Sequence, residues 1–222
     1  MPTAMRPAPQ PKPSESTCPR GTARWLIVFA ALACWPIACA PPPDPDSPQV
    51  QDDETQSNAQ YQLALGIFER GKPREALDHA LRALELNEEN QDAAYLIALI
   101  YLSFCQAAPA DCHLEEAARH ARRALQIRSD FREAQNLLGV VYIHQKKYDD
   151  AVTVLRPLSE DILYRTPENA WGNLGWAYLE LGKHDDAIRA LERAVAAEPN
   201  FCVGHYRLGL AYVAKRAHKI LG

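Results

Sequence analysis

From about residue 57 the chain alternates apolar stripes of helical spacing with short polar turns. Trp171, Leu174 and Tyr178 fall on one face of a helix, and Ala187, Leu191 and Ala194 repeat the arrangement on a second helix a short turn later. A small residue, Ala76, Ala117, Ala151 or Ala187, opens the second stripe of each pair. The pairs recur with a period of roughly 34 residues, which predicts stacked helix pairs instead of one closed globule. Gly175 and Ala187 are small enough to let the two helices of a pair approach closely. Gly182 serves the turn between them, and Pro199-Asn200 breaks the chain before the next helix.

Trp171, Leu174, Gly175, Tyr178, Gly182, Ala187, Leu191, Ala194 and Pro199 stand at the spacings of the tetratricopeptide consensus, and the segment 168–201 resembles that family. The resemblance implies an all-α tetratricopeptide-repeat solenoid, a right-handed superhelix of helix pairs, each with a helix A and a helix B. The same template places a first repeat at 57–90 on Leu63, Ala64, Ile67, Gly71, Ala76, Ala80 and Ala83, with Gln60 and Glu88 in place of the usual Trp and Pro. A second repeat spans 91–131, its helix B arriving seven residues late on Ala117, Ala121 and Ala124, so an enlarged turn is predicted. The third covers 132–167 and runs two residues long through Ser159–Tyr164, which predicts an irregular end to its helix B. A partial fifth unit, 202–222, offers a helix A with His205, Leu208, Gly209 and Tyr212 in register. It reads either as a solvating cap or as the edge of a longer array.

Residues 1–38 read differently. Arg6, Lys12, Arg20 and Arg24 precede an uncharged run, Trp25–Ala38, that ends in small residues. A basic start, a short apolar core and a small-residue end describe an export signal, not a spanning helix. Ile37-Ala38-Cys39 resembles a bacterial lipobox, with Pro36 where Leu is preferred, and Ala31-Leu-Ala-Cys34 competes with it. Cys39 is the favoured lipidation site and Cys34 the alternative, because cleavage before Cys39 leaves the fuller apolar core. Cleavage without a lipid is the bland alternative. Residues 39–56, rich in Pro, Asp, Gln and Ser, read as a disordered tether between lipid and solenoid.

Export changes the reading of charge and of cysteine. The chain holds 24 Lys and Arg against 28 Asp and Glu, and removal of the basic leader makes the remainder more acidic still, which argues against a nucleic-acid partner. Cys105 and Cys112 bracket the enlarged turn, and in an oxidising compartment their proximity predicts a disulfide; two unrelated thiols are the alternative. Cys202 is left without an obvious partner.

Little in the chain points to catalysis, a metal or a cofactor. Cys112-His113 lacks the C-x-x-C-H spacing of haem attachment, and no G-x-S-x-G, Walker or H-E-x-x-H motif occurs. His113 and His120 stand at i, i+7, a pattern more often solvated than metal-binding. Asp149-Asp150 and Asp185-Asp186 precede the first Ala of two B helices and suit the helix dipole. Function is then expected from the concave face, lined in this family by A-helix positions two, five, nine and twelve. Those positions hold Tyr61, Leu65 and Phe68; Tyr95, Leu99 and Leu102; Asn136, Val140 and Ile143; Gly172, Trp176 and Leu179; and Tyr206, Leu210 and Val213. Part of this row belongs to helix packing, and the rest forms a contiguous apolar surface that marks a protein-binding groove. Clamps for a charged C-terminus use Lys and Asn at such positions; here Asn173 and a few isolated polar residues occur, so an amphipathic or apolar segment is the expected ligand, with no small-molecule substrate.

Two stretches, 157–178 from Pro157 through Trp171-Gly-Asn-Leu-Gly-Trp-Ala-Tyr178, and Pro199-Asn-Phe-Cys-Val-Gly-His-Tyr-Arg-Leu-Gly209, resemble the Tgl family of PilF/PilW-type pilotins over about 57–214. The resemblance implies an outer-membrane lipoprotein on the periplasmic face. It would bind a secretin subunit, promote assembly of the type IV pilus secretin, and so support twitching or social gliding. Members normally carry six repeats, of which this chain lacks the last one or two. A generic periplasmic scaffold and a noncatalytic subunit of a cell-wall or polysaccharide-export complex are the competing readings.

Overall fold

The computed structural model describes residues 48–107 and 112–221, all within one unit of the chain, 43–222. Cys34 and Cys39 lie outside the described residues. The described part is helical: α1 Pro48–Glu69, α2 Pro73–Leu86, α3 Gln91–Ala107, α4 Leu114–Ile127, α5 Arg132–His144, α6 Tyr148–Ser159, α7 Pro167–Glu180, α8 His184–Ala197 and α9 Cys202–Leu221. Each helix packs on the next. The odd-numbered helices also touch one another in series, α1 with α3, α3 with α5, α5 with α7 and α7 with α9. Odd helices therefore form one continuous wall, the A layer, and even helices the B layer behind it.

The A–B turns share one chemistry. Gly71 and Gly182 adopt φ of 75° and 70°, the left-handed region where glycine carries no steric cost, and in each case the N–H of the residue after the glycine reaches back five residues: Lys72 N–H to Ile67 O and Lys183 N–H to Tyr178 O. The third repeat makes the same turn without glycine. Lys146 takes φ 61°, and Lys147 N–H donates to Tyr142 O at 2.8 Å. The B–A turns after α2, α4 and α8 are equally uniform, closed by Asn90, Phe131 and Phe201 N–H donating to Asn87, Arg128 and Glu198 O. The turn after α6 differs. Pro157 sits inside the helix, and residues 160–166 form a loop whose Tyr164 is buried with Leu158 and Ala170. Asp161 anchors that loop to Arg132 at 2.6 Å.

Within each repeat the two helices meet across small residues. Ala76, Ala117, Ala151 and Ala187 have no exposed surface. A Cβ built on Gly139 would lie 2.4 Å from Leu155 Cγ, and one on Gly175 would lie 2.5 Å from Leu191 Cγ, so a B-helix leucine rests directly on each A-helix glycine. Apolar clusters run from repeat to repeat: Ala64, Ile67 and Ala80 share one with Leu96 and Ile100, and Val152, Leu155 and Leu174 share another with Leu191 and Ala211. A row of ion pairs marks the edge. Lys147 pairs with Glu115, Lys183 with Asp149 and Lys215 with Asp185, each lysine contacting the start of the preceding B helix.

Residues 48–56, expected to be part of a disordered tether over 39–56, instead belong to α1, and 39–47 lie outside the described residues. Pro48 is suited to a helix start, and Thr55 Oγ1 donates to Gln51 O while Gln56 bonds Asp52. This extension is largely exposed. Packing begins at Ser57, which donates to Ala83 O at 2.7 Å and accepts from Asn90 Nδ2 at 2.9 Å. His120 is a second correction: it is 4% exposed, not solvated. Its ring stacks on Tyr101 at 6.0 Å, whereas His113 is exposed at the edge of the same ring.

Two measurements test these contacts. Gly175→Ala should lower stability by about 1–3 kcal/mol in urea unfolding, because Leu191 Cγ and the Ala187 carbonyl must move. Gly209→Ala, with nothing within 4 Å, should not destabilise and should gain the helix propensity of alanine, up to about 1 kcal/mol. Burial, with Arg119 adjacent, pushes the His120 imidazole down to about 4. The unfolded chain thus binds the extra proton first. Stability should be full above about pH 6.5 and fall by the order of 2–3 kcal/mol as pH drops towards 4, and His120→Gln should lose that share of the pH dependence.

Candidate functional site

The exposed side of the A layer gathers most of the residues expected at the groove. Tyr61, Leu65 and Phe68 on α1, Tyr95 and Leu99 on α3, Val140 on α5, and Trp176 and Leu179 on α7 are half-buried: one flank packs on the core and the other is open. Tyr206 and Val213 on α9 are freely exposed and Leu210 less so. Two residues do not belong to this surface. Leu102 is 5% and Ile143 3% exposed, because the C-terminal half of helix A lies against its own helix B and the next helix A. Leu102 clusters with Ala117 and Leu138, and Ile143 with Ala151 and Tyr178. Gly172 also points away from solvent, covered by the Phe201 ring, which would stand 2.7 Å from a Cβ there.

Trp176 is the best-defined feature. Its indole N–H donates to Glu180 Oε1 at 3.2 Å, the His144 ring meets it edge-on at 5.4 Å, and the Arg207 guanidinium lies 4.2 Å from its ring centroid. Glu180 also accepts from Tyr148 Oη at 3.2 Å, so the indole is fixed in place through the third repeat as well as the fourth. Trp176, Leu179, Glu180, Val203, Tyr206, Arg207 and Leu210 line a cleft of about 300 Å³ between α7 and α9.

Arg207 was not legible as a groove residue. It stands one repeat after Asn173, donates to Gly172 O at 3.3 Å and to Asn173 Oδ1 at 3.2 Å, and Asn173 Nδ2 in turn donates to Asn136 Oδ1 at 3.0 Å. A polar line thus crosses three A helices in the floor of an otherwise apolar wall. Comparing Asn173 and Arg207 at the same repeat position supplies the signal that reading each repeat alone hides. Among the described residues no carboxylate lies within ion-pair distance of Arg207, and burial pulls its guanidinium down to about 10. The same burial, aided by Arg207, lowers His144 and keeps its imidazole neutral more readily. Burial holds the Tyr95 phenol up at about 12. The cleft therefore offers an aromatic floor, apolar walls, the Arg207 cation and the Glu180 carboxylate, a combination that suits side-chain anchoring and hydrogen bonding to a partner's polar groups.

At the far side of the second repeat the structure joins Cys105 to Cys112 in a disulfide with Cα atoms 4.1 Å apart, closing the enlarged turn. Cys202 is a free, exposed thiol.

Tetratricopeptide-repeat models match residues 61–104, 113–157 and 168–201, together more than half of the chain. No curated protein sequence gives a significant match. Solved structures do. PilF of Pseudomonas aeruginosa superposes with a TM-score of 0.64 at 24% identity over 75% of this chain and 72% of its own. PilW, described as a widely conserved type IV pilus biogenesis factor, gives 0.63 at 25% identity over 71% and 69%. MamA of Desulfovibrio magneticus RS-1 gives 0.61 at 22% identity over 74% and 88%. With the helix pairs, their glycine and alanine contacts and these matches in agreement, the chain belongs to the tetratricopeptide-repeat family.

Proposed function

We propose that this protein is a lipid-anchored pilotin that captures a subunit of the type IV pilus secretin in its concave groove and promotes secretin assembly at the outer membrane. The observation that carries the reading is the cleft at Trp176: an immobilised aromatic with Leu179, Tyr206 and Leu210 around it, on a scaffold that superposes on PilF and PilW. Apolar and aromatic anchors of this kind hold a partner segment by burial, without chemistry. An unassembled secretin subunit exposes apolar amphipathic surface. A groove on a tethered solenoid shields that surface and gives it up when subunits pack against one another. Anchorage through Cys39 raises the local concentration of captured subunit at the membrane.

Trp176→Ala should reduce co-purification of the secretin subunit by well over tenfold, since a central aromatic anchor contributes about 2–4 kcal/mol. Circular dichroism and melting should show the repeat still folded, and Asp150→Ala, at the exposed start of α6, should bind as the unaltered protein does. Retention of capture and pilus assembly by a folded Trp176→Ala protein would remove the groove from the mechanism. Cys39→Ser should abolish fatty-acid labelling and release the protein from the membrane fraction; a labelled Cys39→Ser protein would assign the lipid to Cys34.

A further inference from the structure

Loop 160–166, between α6 and α7, lifts two large aliphatic side chains clear of the protein: Ile162 is 96% and Leu163 68% exposed. Helix pairs stand on both sides of it, α5 with α6 before and α7 with α8 after, so the exposure belongs to the interior of the array. The residues around the pair are fixed. Asp161 N–H donates to Leu158 O, Tyr164 N–H to Asp161 O, and Leu163 N–H to Asp161 Oδ1 at 2.8 Å. Arg132 holds the other oxygen of that carboxylate, and Tyr164 is buried with Leu158 and Ala170. Ile162 and Leu163 are therefore the central residues of a turn built in advance, and covering them requires little further ordering of the backbone. The other B–A turns present nothing of the kind. Their tips include Glu88-Glu89 and Ser129-Asp130, and their aromatic members turn inward, Phe131 into the core and Phe201 onto Gly172.

The tip stands on the edge of the solenoid at which the chain enters. Ser57 on α1 bonds Ala83 O and Asn90, Arg123 reaches back to Glu88 O, and Arg132 reaches forward to Asp161. These contacts follow one edge, from α1 through the B–A turns to loop 160–166. Cys39 lies nine residues before Pro48, at most about 30 Å of extended chain, so an anchor there draws this edge towards the bilayer. Around the tip no charge of one sign prevails: Glu160 and Arg165 are opposite, and Asp161 is paired with Arg132. The exposed residues of the loop include no aromatic ring of the sort that anchors protein interfaces. Hydrocarbon needs neither a matching shape nor a matching charge, only apolar surface.

We propose that Ile162 and Leu163 enter the apolar layer of the bilayer that holds the lipid anchor, a second point of contact that sets how the solenoid stands on the membrane. The proposal rests on the lipid-anchored reading and is independent of what the groove binds.

The full chain with Cys202→Ser, reconstituted in vesicles of phosphatidylethanolamine and phosphatidylglycerol, takes a nitrobenzoxadiazole label at Leu163→Cys; Cys105 and Cys112 are joined and do not react. The label should shift to the blue and be shielded from iodide, whereas the same label at Asp150→Cys, at the exposed start of α6, should stay in water. Adding Ile162→Ser should lower the inserted fraction about tenfold, with flotation and melting temperature unchanged because that side chain is almost wholly exposed in the free protein. High salt should leave insertion as it was. A chain that does not float with the vesicles removes the anchor, and this proposal with it. A chain that floats while the label at 163 stays open to iodide overturns the proposal alone, as does insertion that Ile162→Ser leaves intact or that high salt abolishes. Shielding that appears only when the secretin subunit is added gives the tip to a protein partner and overturns it too.

Discussion

The close approach of helix A and helix B across small residues governs this protein, through alanine in the first two repeats and through leucine on glycine in the third and fourth. Leu155 over Gly139 and Leu191 over Gly175 bring two helix axes close enough for the alanines at the start of each B helix to lose all contact with water. Close-packed interiors tolerate little change in volume, so this contact fixes how each pair is set before any neighbour is added. Because stability in a repeat array comes from nearest neighbours, a pair that opens also loosens the clusters on either side of it. The charged outer surfaces have no comparable role.

The groove is a by-product of that setting. Each B helix wedges behind its A helix and before the next, which turns successive A helices side to side and leaves one flank of each uncovered. Aromatic residues on that flank are only half-buried because no further layer exists to cover them. The cleft at Trp176 adds something the regular repeats lack. Arg207 comes from α9, and its burial against the indole puts a cation where the other repeats place neutral side chains.

Much of this was visible in the chain itself, because small residues at helix contacts cannot be exchanged for larger ones and so print the repeat directly. Gly71, Gly182, Ala151 and Leu191 marked turns and contacts that the structure places as expected. Failures arose where a residue's neighbours come from another repeat. Leu102 and Ile143 follow the periodicity of the groove but lie in the C-terminal half of helix A, where two further helices converge. His120 is polar, yet its ring is buried against Tyr101 of the preceding helix. Lys146 shows the reverse: nothing in its residue type announces a left-handed turn, and the surrounding helices impose it. In the helical extension 48–56 every residue but Pro48 and Val50 is polar, so no apolar stripe marks it.

The lysine row joins units instead of building them. Lys147, Lys183 and Lys215 each reach one B helix back, and all three pairs sit in solvent where mobile ions compete for them. The apolar contacts within a repeat are indifferent to salt. Ionic strength therefore acts on this charged edge of the junction, where each exposed pair is worth at most about 1 kcal/mol, while the apolar clusters that run from repeat to repeat keep the units joined in high salt. The angle from one A helix to the next is set by buried side chains, so the groove keeps its width as the electrolyte changes.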